Sequence, residues 1–220
     1  MSMQSIAGKK IMLIGGAGFV GHNLAVHLKS LGADVFVVDS LGVNNVMAFS
    51  SEEVNPKNRG LYLSMLFERQ NLLRRHGIPL FVQDARDYHA ISRVYDEINP
   101  DIIIHLAAVS HANKSNKDPH STFDHSFRTL ENTLDFSKNK KTHVIYLSSS
   151  MVYGDFDAKD VNEETQCKPI GIYGTLKYSG ELLVKAYNQI FDLPYTIIRP
   201  SALYGERCVS RRVGQIFIEN

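Results

Sequence analysis

The sequence has little cysteine, almost no net charge and no long apolar run. Lysine and arginine number 24 against 23 aspartate and glutamate, a formal net charge of +1, which gives no electrostatic reason to expect nucleic acid or an anionic membrane as partner. Two cysteines, Cys167 and Cys208, are too few for a disulfide framework or a metal cluster, and no metal site is predicted. No run approaches the roughly 18 apolar residues of a membrane span, and the N-terminus lacks the apolar core of a signal peptide. We therefore expect a soluble, cytoplasmic protein.

What is present is an ordinary globular composition. The chain has 220 residues, of which 44% are apolar and 21% are charged, close to the average for soluble domains. This excludes a disordered segment and a collagen-like fibre. The length allows a sizeable core and suggests one domain, or one domain and part of a second.

Short apolar runs alternate with longer helical patterns along the chain. The predicted strands are Lys10–Ile14, Val35–Asp39, Leu80–Val82, Ile102–Leu106, Val144–Leu147 and Thr196–Ile198. The predicted helices are Phe19–Leu31, Leu61–His76, Tyr88–Ile98, Ser121–Ser137 and Tyr173–Phe191. Fully apolar strands separated by helices indicate a parallel sheet covered on both faces. Right-handed crossovers then give an α/β fold with a doubly wound parallel sheet, the Rossmann fold.

The stretch between the second and third strands is longer than a βαβ unit needs. Its first part, residues 42–60, is polar and rich in turn-forming residues, and an amphipathic helix follows that ends at Gly77. Two interpretations of this insert, residues 42–78, are open. It is either a helix packed on the sheet behind a surface loop, or a lid or subunit contact.

A glycine-rich run, GGAGFVG, joins the first strand to the first helix. In this position Gly15 permits a tight turn, Gly18 lets the backbone approach a pyrophosphate, and Gly21 allows close helix packing. The N-terminus of the helix supplies free N–H groups and the positive end of the helix dipole. The run therefore predicts a cradle for a dinucleotide.

Carboxylates follow two of the predicted strands. Asp39 lies 18 residues past Gly21, where it can accept hydrogen bonds from both ribose hydroxyls and would repel a 2′-phosphate, so NAD is favoured over NADP. Asp84 follows the third strand and is either the acceptor for the adenine amino group or a helix cap before Tyr88. The small residues of HLAA, residues 105–108, leave room for a flat cofactor.

A tyrosine and a lysine stand four residues apart in the run YGTLK. Tyr173 and Lys177 share one helix face, and an ammonium beside a tyrosine favours the phenolate and lowers its pKa. Tyr173 can then remove a hydroxyl proton while hydride leaves the same carbon. Ser149, at the end of the fifth strand, can hydrogen-bond the same oxygen.

The sequence resembles the extended short-chain dehydrogenase/reductase family, the NAD-dependent epimerases and dehydratases of nucleotide sugars. The resemblance runs from Lys10 onward and rests on GGAGFVG, Asp39, DARD, HLAAVSHANKSNKDP, SSSMVYG, YGTLK and RPSALYG. It implies a nucleotide-sugar substrate and a catalytic triad of Ser149, Tyr173 and Lys177, of which Ser149 and Tyr173 contact the substrate. It also implies that NAD is held by Gly15, Gly18, Phe19, Val20, Gly21, Asp39, Asp84, Ala85, Leu106, Ala107, Ala108, Tyr173 and Lys177.

Three departures from the family pattern limit what the resemblance implies. Sugar 4,6-dehydratases of the family carry Asp-Glu where this chain has Ser150 and Met151. Because these residues supply neither acid nor base for elimination, dehydratase activity is disfavoured. Ala202 stands where many relatives have a substrate-binding Asn, and the run HSFRTLEN replaces a pattern usual in the helix after Pro119.

The resemblance also suggests a domain organisation. Residues 1–9 are expected to be a polar leader, 10–200 the NAD-binding domain, and 201–220 the start of a substrate-binding lobe that is largely missing. Family members often dimerise through two helices in a bundle, and Ser121–Ser137 with Tyr173–Phe191 would form that interface in a homodimer.

Several functions and roles stay open. The first hypothesis is epimerisation of a nucleoside-diphosphate sugar at C4, in which Tyr173 takes the 4-hydroxyl proton. The alternatives are a sugar dehydrogenase or reductase that releases NADH, and a non-catalytic NAD-bound regulatory protein.

His111, in the loop above the fourth strand, either contacts substrate or belongs to a surface loop. The basic run 207–212 either faces a diphosphate or begins a solvated helix.

Overall fold

The molecule is built on one parallel sheet. The computed structural model describes residues 6–50, 58–109, 112–140, 142–155 and 160–209. Its strands are β1 (Lys10–Ile14), β2 (Asp34–Asp39), β3 (Leu80–Val82), β4 (Ile102–His105), β5 (His143–Leu147) and β6 (Tyr195–Ile198). They lie in the order β3-β2-β1-β4-β5-β6, and each neighbouring pair is parallel. The predicted doubly wound sheet is confirmed.

Helices connect the strands and cover both faces of the sheet. They are α1 (Phe19–Ser30), α2 (Val46–Ser50), α3 (Arg59–Arg75), α4 (Tyr88–Ile98), α5 (Ala112–Lys117), α6 (Pro119–Phe123), α7 (Thr129–Ser137) and α8 (Gly171–Phe191). A π-helical turn, Asp124–Arg128, joins α6 to α7, and a 3₁₀ turn, Ser150–Tyr153, follows β5. In the described part of the chain, no helix is both long and apolar enough to cross a bilayer.

The core follows the alternation of side chains along the strands. On one face Leu13 and Val37 pack with Ala25 of α1 and Leu73 of α3. On the other face Met12, Ile14 and Val38 pack against α4, and Val144 and Tyr146 pack against α7 and α8. Burial of both faces explains why these strands are apolar throughout.

The insert packs as a helix against the body of the protein. Tyr62, Leu66, Arg69 and Leu73 form the buried face of α3, and Leu73 belongs to the same core as β1 and β2. The helix predicted at Leu61–His76 is confirmed. The stretch before it was expected to be only loop, and there the prediction was wrong, because α2 forms and buries Phe49 edge-on against Tyr62.

The helical segment after β4 is less regular than expected. A single helix over Ser121–Ser137 is predicted, whereas the structure begins α6 at Pro119, with the Asp118 carboxylate accepting from the N–H of Ser121 at 3.0 Å. A π turn then interrupts the segment at DHSFR. This interruption overlaps HSFRTLEN, the run in which the sequence departs from the family pattern.

Candidate active site

A cavity opens at the carboxyl ends of the strands, beside the point where the strand order reverses between β1 and β4. This is where ligands bind in open α/β sheets. His111 lies outside the described residues, and the roles assigned to individual residues stay predictions. Within its described part the structure brings every other predicted site residue to this cavity: Gly15, Gly18, Phe19, Val20, Gly21, Asp39, Asp84, Ala85, Leu106, Ala107, Ala108, Ser149, Tyr173 and Lys177.

The cradle end of the cavity, residues 15–21 with Asp39, is shaped by contacts between backbones. Gly15 has a φ of +80°, and a Cβ there would lie 2.7 Å from the backbone nitrogen of Ala107. A Cβ on Gly21 would lie 2.5 Å from the Cα of Gly16. Real Cβ atoms do not approach backbone this closely, so both positions require glycine and the turn is held tightly between β1, β4 and α1.

Asp39 ties the glycine turn to the second strand. Its carboxylate accepts from the N–H of Ala17 at 3.0 Å and from the N–H of Leu41 at 2.7 Å. Burial raises the pKa of Asp39, and these two hydrogen bonds and the Arg69 guanidinium act in the opposite direction. A carboxylate has about four acceptor positions, so hydrogen-bonding capacity remains for ribose hydroxyls.

Asp84 lines the cavity beyond β3, and its carboxylate is hydrogen-bonded to the nearby Arg86. Both of its carboxylate oxygens accept from the Arg86 guanidinium, at 2.6 to 3.1 Å, and this hydrogen bonding lowers the pKa of Asp84. The alternative role of Asp84 as a helix cap is wrong. Asp87 caps α4 instead, by accepting from the N–H of Ala90 at 3.0 Å.

The reacting end of the cavity is formed by Ser149, Tyr173 and Lys177. Lys177 is 5% exposed, and its Nζ donates to the carbonyl of Leu147 at 2.6 Å and lies 5.0 Å from the centre of the Tyr146 ring. Burial lowers the pKa of Lys177 to about 8. Ser149 lies at the end of β5, where its hydroxyl accepts from the N–H of Met151 at 3.2 Å.

A buried arginine, Arg69, lines the cradle end and was missed in the sequence. Its Nε and Nη2 donate to the carbonyl of Arg207 at 3.1 and 2.5 Å. Arg69 is 1% exposed and occupies a core position in the stripe Tyr62, Leu66, Arg69, Leu73. A charged residue inside an apolar helical stripe was the signal that could have revealed it.

The segment after β6 returns to the cradle end. Arg207 donates through Nε to Nε2 of His22 at 3.0 Å and through Nη2 to Asn23 at 3.2 Å. The other ring nitrogen, Nδ1 of His22, lies 2.8 Å from the carbonyl of Gly18. Because a carbonyl only accepts and a guanidinium only donates, this geometry requires the neutral Nδ1–H tautomer.

Burial and the two nearby arginines disfavour the charged form of His22. Burial is the larger cause, and together with Arg69 and Arg207 it lowers the pKa of His22 to about 4. Of the basic run 207–212, residues 210–212 lie outside the described part. The two alternatives for the run, a diphosphate contact or a solvated helix start, therefore stay predictions.

The π turn and the first residue of α7 add further residues to the cavity. His125 and Thr129 both line it, and burial, followed by the charge of Arg86, lowers the pKa of His125. Thr129 also lies 3.4 Å from Nε2 of the buried His105. The departure at HSFRTLEN was the only sequence signal for these residues, since a π turn leaves no periodic pattern.

Most of the chain matches a known protein family. Residues 11–220 match the sequence model of the NAD dependent epimerase/dehydratase family. The chain belongs to this family. Members of the family are NAD-dependent, so the expected cofactor class is confirmed.

Individual relatives match most of the chain, among them UDP-glucuronate 4-epimerase 5 of Arabidopsis thaliana, which is 27% identical over 209 residues, or 92% of this chain and 43% of that protein. Protein CapI of Staphylococcus aureus is 29% identical over 198 residues, which are 89% of this chain and 54% of that protein. The dTDP-D-glucose 4,6-dehydratase of Dictyostelium discoideum is 27% identical over 228 residues, or 96% and 47%. The chain thus spans about half the length of these relatives.

A solved structure agrees with the fold. The UDP-glucose 4-epimerase of Thermotoga maritima, solved with UDP-glucose, superposes with a TM-score of 0.78 at 25% identity. The match covers 96% of this chain and 62% of that one.

The residues present fit NAD. Side-chain-free backbone at Gly15 and Gly21 shapes the turn before the N-terminus of α1, which suits a pyrophosphate. Asp39 lies on one side of that turn for a ribose, and Tyr173 and Lys177 lie at the other end of the same cavity. Bound NAD would supply the hydride acceptor and donor there, and the chain's own residues would bind it and move the proton.

Proposed function

We propose that this chain forms the cofactor half of an NAD-dependent enzyme that epimerises a nucleoside-diphosphate sugar at C4. The observation that carries the proposal is the cavity shared by the glycine turn, Asp39, Ser149, Tyr173 and Lys177. The UDP-sugar 4-epimerases among its relatives and structural neighbours support the choice of reaction. The cytoplasmic location expected from the sequence stays part of this proposal.

The proposed division of work follows from the reacting end. Tyr173 takes the proton of the sugar hydroxyl and later returns it, which general acid–base catalysis requires of a group at this position. Lys177, anchored on the carbonyl of Leu147, favours the phenolate by its charge. Ser149 hydrogen-bonds the same sugar oxygen as a carbonyl develops.

The two residues after Ser149 disfavour a reaction that eliminates water. Ser150 and Met151 begin the 3₁₀ turn after β5, and Met151 is 41% exposed. Neither side chain can act as an acid or a base of the strength that a dehydratase needs.

The test begins with the nucleotide released from the denatured, freshly purified protein. We expect stoichiometric NAD, conversion of UDP-glucose or UDP-glucuronate to its 4-epimer without net NADH, and no conversion by Tyr173→Phe with NAD still bound. Net NADH formed in proportion to product would instead identify a releasing dehydrogenase. Stoichiometric NAD without conversion of either sugar would leave two explanations, the regulatory alternative or a substrate site that needs more of the relatives' length than the half this chain spans.

We also propose the homodimer that the resemblance implies, through a helix bundle of residues 121–137 and α8, and the exposed side chains of α8 support it. Leu182, Ala186 and Ile190 form an exposed stripe at four-residue spacing, and Leu182 and Ile190 are 50% and 73% exposed. Light scattering should give a dimer at micromolar concentration and a monomer for the double variant Leu182→Glu/Ile190→Glu. A wild-type monomer would contradict this part of the proposal.

A further inference from the structure

An ion pair is buried beside the reacting end without lining the cavity. Glu181 is completely buried, and Arg199 donates to it with two nitrogens, Nε to Oε1 at 2.9 Å and Nη2 to Oε2 at 2.6 Å. The hydroxyl of Ser148 donates to Oε1 at 2.5 Å. Glu181 and Arg199 are not among the residues that line the cavity, so a direct role in binding is not indicated.

The position of Glu181 on its helix connects it to Lys177. The two residues are four apart and share one face of α8. The last residues of β5 and the residue after it contact this face one after another. The hydroxyl of Tyr146 donates to the carbonyl of Lys177 at 3.5 Å, Nζ of Lys177 donates to the carbonyl of Leu147, and Ser148 donates to Glu181. One turn of α8 is therefore fixed against three consecutive residues, the last two of β5 and Ser148 directly after it.

Packing alone does not account for this ion pair. Replacing a buried ion pair by apolar residues of similar volume is often neutral or stabilising, so charge is not needed to fill the space. An apolar pair would not place a negative charge near the ammonium of Lys177. Burial lowers the pKa of that ammonium to about 8, and the charge of Glu181 acts in the opposite direction.

We propose that Glu181 is a positioning residue for Lys177. Its carboxylate, oriented by Arg199 and Ser148, keeps the Lys177 amine charged and in place at the end of β5. The inference rests on the proposed function, because the charge on Lys177 affects the reaction only if Tyr173 is the acid–base group. Arg199 also donates to the hydroxyl of Tyr153 at 2.9 Å, which extends the same support to the 3₁₀ turn.

The experiment is an NMR titration of the Lys177 amine in the whole chain labelled with [¹⁵N]lysine, the signal being identified by its loss in Lys177→Arg. In the Glu181→Gln variant the carboxylate charge is lost and Arg199 is left unbalanced. Both changes disfavour a neighbouring cation, so we expect the titration midpoint to fall by about one pH unit or more. Glu97→Gln, an identical change at an exposed position of α4, should leave the midpoint unchanged.

Two further variants separate charge from packing. Arg199→Lys breaks the paired hydrogen bonds but keeps both charges, so the protein should lose stability while the Lys177 midpoint stays near the wild-type value. If Glu181→Gln does not fold, Glu181→Gln/Arg199→Gln removes both charges together, and the midpoint should again fall.

The outcomes distinguish this inference from the proposed function. A midpoint unchanged in Glu181→Gln, or shifted equally in Arg199→Lys, would overturn the role of Glu181 even in a fully active enzyme. Absence of NAD or of epimerisation would overturn the proposed function and leave the Lys177 titration as a separate result.

Discussion

The cradle end and the reacting end of the cavity are built by different means. At the cradle end backbone meets backbone, as Gly21 does against Gly16, and the essential feature is a missing side chain. At the reacting end Lys177, Glu181 and Arg199 are charged side chains held in a largely buried region. A missing side chain can be recognised in the local sequence, whereas the buried charges at the reacting end come from two separate elements, α8 and the segment after β6. The two ends should therefore respond differently to substitution.

The largest effect is expected from unbalancing the reacting end. Arg199→Met leaves the carboxylate of Glu181 buried without its cation, and removal of one partner of a buried pair costs about 3–5 kcal/mol. Urea unfolding measures this loss. The double variant Glu181→Met/Arg199→Met should recover most of it, because no carboxylate is then left buried without its guanidinium. A double variant as unstable as Arg199→Met would show that geometry, and not charge balance, holds this end.

At the cradle end we expect a loss of stability that no second substitution restores. In Gly21→Ala the added Cβ meets the backbone of Gly16, and overpacking of this kind costs about 3 kcal/mol. We also expect loss of NAD binding, measured by calorimetry. Gly60→Ala is the matched control, since nothing lies within 4 Å of a Cβ there and alanine favours a helix by up to about 1 kcal/mol. Tight NAD binding by Gly21→Ala would contradict the backbone-contact account.

Arg69 is a buried charged side chain at the cradle end. Its variants show whether a buried charge matters for stability there as it does at the reacting end. Arg69→Met leaves the carbonyl of Arg207 without its two donors, and hydrogen bonds to charged groups contribute about 1.5–3 kcal/mol. We expect a loss of about 2 kcal/mol together with faster amide hydrogen exchange at residues 206–209. Arg69→Lys keeps the positive charge but lacks the two guanidinium donors. Its stability should lie between that of the wild type and that of Arg69→Met. Unchanged exchange in Arg69→Met would mean that other contacts hold this segment.

The smallest effect concerns the pH dependence of the cradle end. The pKa of His22 is about 4 when folded, against 6.5 for a free imidazole. Between these values the unfolded chain binds a proton that the folded chain does not, so His22 makes stability fall as pH falls, by about 1.4 kcal/mol per pH unit.

The His22→Gln variant isolates this contribution, because other titrating groups cancel in the comparison with the wild type. From pH 7 to pH 5 the wild type should lose about 1–2 kcal/mol more than the variant in urea unfolding. Equal losses would show that His22 does not resist protonation.

The comparison also explains what the sequence could reveal. Strands, the glycine turn and the Tyr173–Lys177 pair were predictable, because each is set by residues within a few positions of one another. The contact of Arg69 with Arg207 spans 138 residues, and the pair of Glu181 and Arg199 joins a helix to the residue after the next strand. Neither leaves a local pattern apart from a charged residue in an apolar stripe. The π turn at Asp124–Arg128 was missed because an extra residue in a helix does not interrupt its composition.

The contacts of Arg207 also bear on the order in which the molecule can be completed. Ribosomes extend a chain from its N-terminus, so β1, the glycine turn and α3 are made before residue 207. Yet three contacts of these elements come from residues 207–209. Arg207 supplies the carbonyl that accepts from Arg69 and the guanidinium that donates to His22, and Val209 packs with Tyr62 and Leu66. The end of the cavity that is synthesised first is therefore completed last. A nascent chain that has not reached residue 207 contains Arg69 without the carbonyl that accepts its hydrogen bonds.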